Sequence, residues 1–216
     1  EIGSGLVGSE MCIRDRNYSW LEDDENPYVY KQEGFDYIDR SIAWAKKYNI
    51  GLVLNMHCPQ GGYQSQGNGM ALWTDPENQR RLVKLWGEIA RRYADEPAIQ
   101  GYGLINEPVV PELGSAAETV GQCQRLMQRC TDEIRRYDRN HIVFVERVVG
   151  VKDMSTGENL WNKYPIDDLW FLIDDDNAVY ETHFYTPAVF THQSAGDSVE
   201  YPKPCYVDNY LEYWVG

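Results

Sequence analysis

The sequence predicts an α/β fold built on a parallel sheet of the kind that closes into a β/α barrel, and three observations carry that expectation. Short apolar runs of strand length alternate with longer segments whose apolar residues recur at helical spacing. Each run ends in polar or ionisable residues: His57 after one, Asn106 with Glu107 after the next, then Glu146 with Arg147, then His183 with Tyr185. No Gly-rich phosphate loop follows any run, so a doubly wound nucleotide-binding sheet has little support. Strands buried on both faces suit either sheet. Chemistry gathered at the carboxyl ends of the strands favours the barrel.

Phe35, Ile38, Ile42 and Ala45 mark the apolar face of a first helix running to Tyr48, and Asn49-Ile50-Gly51 leads from it into a strand, Leu52 to His57. Asp75-Pro76-Glu77 caps a second helix with proline at its first position, and Leu82, Leu85, Trp86 and Ile89 form one face of it. The next strand, Ile99 to Ile105, stops at Asn106-Glu107-Pro108, where proline has no N–H with which to continue a ladder. A helix from about Ala116 to Tyr137 precedes a strand from His141 to Val149, and after a loop-rich crossover Ala178 to Tyr185 forms a fourth strand. Helices between successive strands imply parallel pairing with right-handed crossovers. A closed eight-stranded barrel takes ~250 residues, and only four clear strands are legible here.

The chain has 216 residues, 43% of them hydrophobic and 25% charged, enough for one substantial core and with no disorder signature. A formal charge of −14 argues against nucleic acid and against anionic membrane surfaces as partners. Seven Trp and sixteen Tyr supply flat amphipathic side chains of the sort that suit sugar rings. The five cysteines give no paired pattern; Cys123 and Cys130, seven apart on a helix, are roughly 10 Å apart along its axis and too far to bridge. They are expected to be small buried hydrophobes. No window reaches the ~20 apolar residues of a membrane span, and no signal peptide begins the chain.

Leu6 to Arg16 fits neither a helix period nor a strand alternation. It resembles an in-frame translation of a transposon-type sequencing adapter, so residues 1–16 are expected to be foreign to the protein and residues 17–216 to be its own, an incomplete catalytic barrel.

The order Leu-Asn-Met-His57-Cys-Pro-Gln-Gly-Gly62, then Gly-Leu-Ile-Asn106-Glu107-Pro108, then Glu-Thr-His183-Phe-Tyr185 resembles glycoside hydrolase family 5, the cellulase-like retaining β-glycosidases. The resemblance implies a partial (β/α)8 TIM barrel of which strands three to six are seen. It implies that Glu107 is the acid/base, that Asn106 bonds the sugar's 2-hydroxyl, that His57 and His183 line the subsite nearest the scissile bond, and that Tyr185 touches the nucleophile. Trp73 is a looser match to a stacking platform. The implied substrate is a β-linked oligo- or polysaccharide, with no cofactor, no metal and a monomeric full-length protein. Export to the extracellular space or periplasm follows by family analogy.

The retaining mechanism needs a second carboxylate ~5 Å from the first. The family places it in a Gly-Glu pair ending strand seven, and the chain contains no such pair, so the nucleophile is expected beyond Gly216 and the chain as it stands is expected to be inactive. Glu146 ends a strand that adjoins the one bearing Glu107 rather than facing it. Glu181 is expected to be a hydrogen-bonded acid of the barrel core, and Asp174-Asp175-Asp176-Asn177 a solvated turn, because consecutive acids lack the alternate spacing of a calcium loop. A zinc site from His57, Cys58, His141 and His183 would need ligands from both ends of the strands. Two alternatives remain: a non-catalytic carbohydrate-binding barrel, and a relative acting on another β-glycoside such as mannan.

Overall fold

The computed structural model describes residues 10–183 and 185. The chain divides into two compact units, Glu1–Glu181 and Thr182–Gly216, and the architecture below is that of the first. Its strands and helices run β1 (Glu10–Asn17), α1 (Gln32–Tyr48), β2 (Gly51–Cys58), α2 (Ala71–Thr74), α3 (Pro76–Tyr93), β3 (Ile99–Gly103), β4 (Val109–Pro111), α4 (Ala116–Arg135), β5 (Ile142–Glu146), β6 (Gly150–Lys152), β7 (Asn159–Leu160) and β8 (Ala178–Glu181). Five strands form one sheet in the order β1-β2-β3-β5-β8, every neighbouring pair parallel. Spatial order therefore follows chain order. A doubly wound sheet reverses direction part-way; this one does not, which is the ordering of a barrel wall.

The helices form where their local chemistry predicts. Asp75 caps α3 by accepting the Glu77 N–H at 2.9 Å with Pro76 in the first turn, and Ser115 caps α4 by accepting the Glu118 N–H at 3.3 Å. α1 ends at Asn49 in the left-handed conformation, φ 53°, one of the few side chains that tolerates it. Phe35, Ile38, Leu82, Leu85, Trp86, Ile89, Leu126, Met127 and Ile134 pack in one core with Leu52, Leu54, Met56, Tyr102, Val143 and Val145 of the strands.

Alternation along the strands leaves Val53, Asn55 and His57 of β2 and Ile142, Phe144 and Glu146 of β5 for the opposite, inner face. Between them β3 offers Gly101 and Gly103. A Cβ at Gly101 would lie 2.7 Å from the Phe144 ring, and one at Gly103 would lie 2.7 Å from the Asn55 amide. The two glycines are what lets Phe144 and Asn55 fill the inner face.

Several expected boundaries shift. The strand expected from His141 to Val149 is β5 alone, ending at Glu146, with β6 beginning only at Gly150, and the one expected to reach Tyr185 ends at Glu181. β1 adds a fifth strand, paired to β2 with register shifts near Arg16, and it overlaps the segment set aside at residues 1–16. A parallel ladder is made by main-chain groups, so pairing at an open edge requires none of the side-chain alternation that this segment lacks. The acidic run at 174–177 is less solvated than expected, because Asp175 accepts both Arg135 Nε (2.7 Å) and Arg135 Nη2 (2.8 Å). Cys123 and Cys130 are fully buried free thiols, and burial pushes both up in pKa.

At the amino end of the sheet Asp138, 1% exposed, accepts the Asn140 N–H (2.9 Å), the His141 N–H (3.0 Å) and the Tyr102 hydroxyl (2.7 Å), and it pairs with His141 Nδ1 (2.5 Å). Burial works to raise this carboxyl, but those bonds outweigh it and hold the group below its ordinary 3.8. A depressed carboxyl contributes stability that is present above the unfolded-state pKa and lost as pH falls through the folded one. Asp138→Ala is expected to cost about 2–4 kcal/mol at neutral pH, with the gap to the parent narrowing below about pH 4. Urea unfolding at both pH values checks this; a gap independent of pH would contradict it.

Candidate active site

The site is built where β3 leaves the sheet. Past Gly103 the Leu104 N–H still donates to Phe144 O (3.2 Å) and the Asn106 N–H to Met56 O (3.0 Å), so the backbone stays held between β5 and β2 up to Asn106. Glu107 then adopts φ 44°, in the left-handed region. For a side chain of this kind that conformation costs about 1–3 kcal/mol and persists only where the surroundings fix it. Here the reversal aims the Glu107 N–H at β5, where Glu146 Oε2 accepts it at 2.6 Å. Pairing resumes immediately beyond, as Val149 N–H donates to Pro108 O (2.9 Å) and β4 joins β6 in parallel from Val109↔Gly150 onward. The Glu107 turn is thus a single interruption between two ladders, and its side chain is left half-buried.

Asn106 is 3% exposed and its amide nitrogen donates to Ser65 Oγ at 3.0 Å. Ser65 lies on the loop between β2 and α2, which is tied down on both sides. Inside it, buried Gln64 donates to Gly62 O (3.0 Å) and Gly69 O (2.9 Å) and accepts the Trp73 indole N–H (2.8 Å). Outside it, Lys152 Nζ donates to Gly67 O (2.9 Å) and Asn159 Nδ2 to Gln66 O (2.9 Å), both from the small sheet β4-β6-β7.

This geometry corrects one expectation. Trp73 is only 8% exposed and belongs to the core, with its N–H engaged by Gln64, so it props the loop and has no open face for stacking a sugar. Trp161 is the more open aromatic, 45% exposed with its ring against Gly150.

His57 comes from the inner face of β2, half-buried. The register Asn55↔Gly103, Gly103↔Phe144 and Phe144↔Val179 sets one level of that face, and two residues further along each strand His57, Glu146 and Glu181 fall on the next. Glu181, expected deep in the barrel, is the last residue of β8, half-buried and in register with Glu146. Both acids stand on strands successive to that of Glu107, on the same side of it. Arg147 is also buried; its guanidinium is pushed below its usual pKa by burial, with Glu146 pulling the other way. His141 sits at the opposite end of β5 with its ring nitrogens on Asp138 and on Glu96 O (3.1 Å). Among the described residues no group of three or more His, Cys, Asp or Glu could hold a metal ion. His183 and Tyr185 lie in the second unit, past the end of β8, where their rings meet edge to face at 5.9 Å and 83°.

A half-buried carboxyl held rigidly at the carboxyl end of a barrel strand is equipped for general acid and base work. The chain matches the cellulase model of glycosyl hydrolase family 5 over residues 12–215. The chain belongs to glycosyl hydrolase family 5.

Within family 5, the chain is 35% identical over 179 residues to Endoglucanase C of Acetivibrio thermocellus, an alignment that covers 83% of this chain and 47% of that protein. It is 26% identical over 182 residues to Cellodextrinase A of Ruminococcus flavefaciens, covering 83% and 48%. It spans about half the length of these curated relatives. Among solved structures, Thermotoga maritima Cel5A in complex with cellobiose superposes with a TM-score of 0.68 at 22% identity, over 98% of this chain and 62% of that one. Endo-glycoceramidase II from Rhodococcus in its ganglioside GM3 complex gives 0.63 at 20% identity, over 90% and 52%. These likenesses are of fold. The family 5 chain is α/β, part of a (β/α)8 TIM barrel.

Two features of this family 5 site escape sequence reasoning. Glu146 is legible as a strand end, but its target is set by the backbone reversal at Glu107, which is tertiary. The Ser65 and Gln64 bracing has no periodicity to betray it.

Proposed function

We propose that this chain carries the acid/base half of a retaining glycoside hydrolase acting on β-linked glucan. The observation that carries the reading is Glu107 itself: a carboxyl set on a strained turn at the end of β3, beside Asn106 and on the same mouth as His57. Glu107 protonates the glycosidic oxygen as the bond to the anomeric carbon breaks, and later takes a proton from the water that releases the sugar. Asn106, fixed by Ser65, is the contact to the 2-hydroxyl. The second carboxylate is assigned to neither Glu146, which is bonded to the Glu107 N–H on the adjoining strand, nor Glu181 one strand further. The endoglucanase names of relatives at 35% identity favour β-glucan over mannan or xylan. A polymeric glucan is met outside the cytoplasm, which supports export.

The test uses the protein expressed from its complete reading frame. Reducing ends released from carboxymethyl-cellulose, mannan and xylan are compared, and product anomers are followed by NMR. Fastest cleavage of the β-glucan with retained configuration is expected; inversion, or cleavage of xylan or mannan alone, would overturn the reading.

A further inference from the structure

We propose that Glu146 is a positioning residue for the acid/base turn: its carboxylate, accepting the Glu107 N–H, sets where the Glu107 carboxyl stands. The inference rests on Glu107 being the acid/base. Three observations carry it. The bond is short, 2.6 Å, to a carboxyl acceptor that is itself 1% exposed, and burial shields it from competing water. It sits at the one residue of the strand end with a positive φ, 44°, where the backbone would relax to a commoner conformation without an external hold. The N–H lies between the two ladders: the Asn106 N–H before it pairs with Met56 O, and beyond it pairing resumes through the Val149 N–H on Pro108 O and Val109↔Gly150.

Glu146 is well placed to transmit position rather than simply to fill space. Its backbone is fixed by β5, paired in register to Glu181 on one side and, through Gly103↔Phe144, to β3 on the other. Through this side-chain bond the Glu107 N–H is tied directly to β5. In catalysis a displacement of about 1 Å can cost ~10²-fold in rate, and the acid must lie within hydrogen-bond reach of the leaving oxygen. Glu146 exchanges no proton with substrate in this scheme.

The experiment separates positioning from folding through the leaving group. A natural glycosidic oxygen needs protonation to depart, whereas a dinitrophenolate leaves without it, so kcat/KM on cello-oligosaccharide depends on the acid and kcat/KM on dinitrophenyl β-cellobioside does not. In the protein expressed from its complete reading frame, Glu146→Ala is expected to lower the first by about 10- to 100-fold and the second by less than about 3-fold. Glu146→Gln keeps an amide oxygen that can accept the same N–H and is expected to restore most of the loss. Equal losses on both substrates, or no loss on either, would overturn the proposal, as would a folded Glu146→Gln as impaired as Glu146→Ala. Glu107→Ala runs in parallel: if it shows no dependence on leaving group, the acid/base assignment fails, independently of Glu146.

Discussion

Glu107→Gln is expected to lower kcat/KM on a β-glucan by about 10²–10⁴-fold while leaving the fold in place. Glutamine matches glutamate in size and still fills the half-buried position, and the contacts that fix the turn come from the main chain: the N–H to Glu146 and the Pro108 carbonyl to Val149. What is lost is the proton. The leaving oxygen of a sugar departs poorly as an anion, and an amide cannot supply the hydrogen ion or take one back from water. Rates on soluble β-glucan, with circular dichroism and thermal melts as controls for folding, measure the effect. An unchanged rate would remove Glu107 from the mechanism.

Trp86→Ala carries the largest expected cost in stability, about 3–5 kcal/mol, against the 5–15 kcal/mol that holds a typical domain. Trp86 is 1% exposed on α3, its ring tilted against Tyr102 of β3 at 5.8 Å, and its indole N–H donates to Leu104 O at 3.2 Å. Truncation opens a cavity and orphans a buried carbonyl two residues before Asn106. Trp86→Phe keeps most of the packing and is expected to cost less, because only the bond and part of the ring are lost. Urea midpoints of the three proteins test this ordering; a Trp86→Ala midpoint at the parent value would mean that α3 does not support the site strand.

The helices were the most legible part of the fold because their signals are local. Asp75-Pro76 caps where it stands, and the apolar faces of α1 and α3 meet the strands as their spacing predicts. The strand order was legible only through the rule that helical crossovers are right-handed. The small sheet was not legible: β4, β6 and β7 are two or three residues each, too short for any alternation to register; β4 and β6 form because main chains leaving β3 and β5 side by side can keep pairing, and β7 pairs antiparallel with β6. At the site, residue types were legible and their partners were not. Asn106 and Glu107 announced themselves by following an apolar run, but that Asn106 is held by Ser65, that Glu107 turns left-handed, and that Trp73 is a buried prop all depend on contacts between segments far apart in sequence.

The acid/base role of Glu107 is tested most directly by azide rescue. In Glu107→Ala, prepared from the complete reading frame and given dinitrophenyl β-cellobioside, the activated leaving group departs unaided and a glycosyl-enzyme accumulates because no base activates water. Azide needs no such base: it attacks the anomeric carbon and displaces the enzyme's carboxylate. The expected result is faster turnover with added azide and a cellobiosyl azide of β configuration. No azide adduct, or one of α configuration, would contradict the role assigned to Glu107.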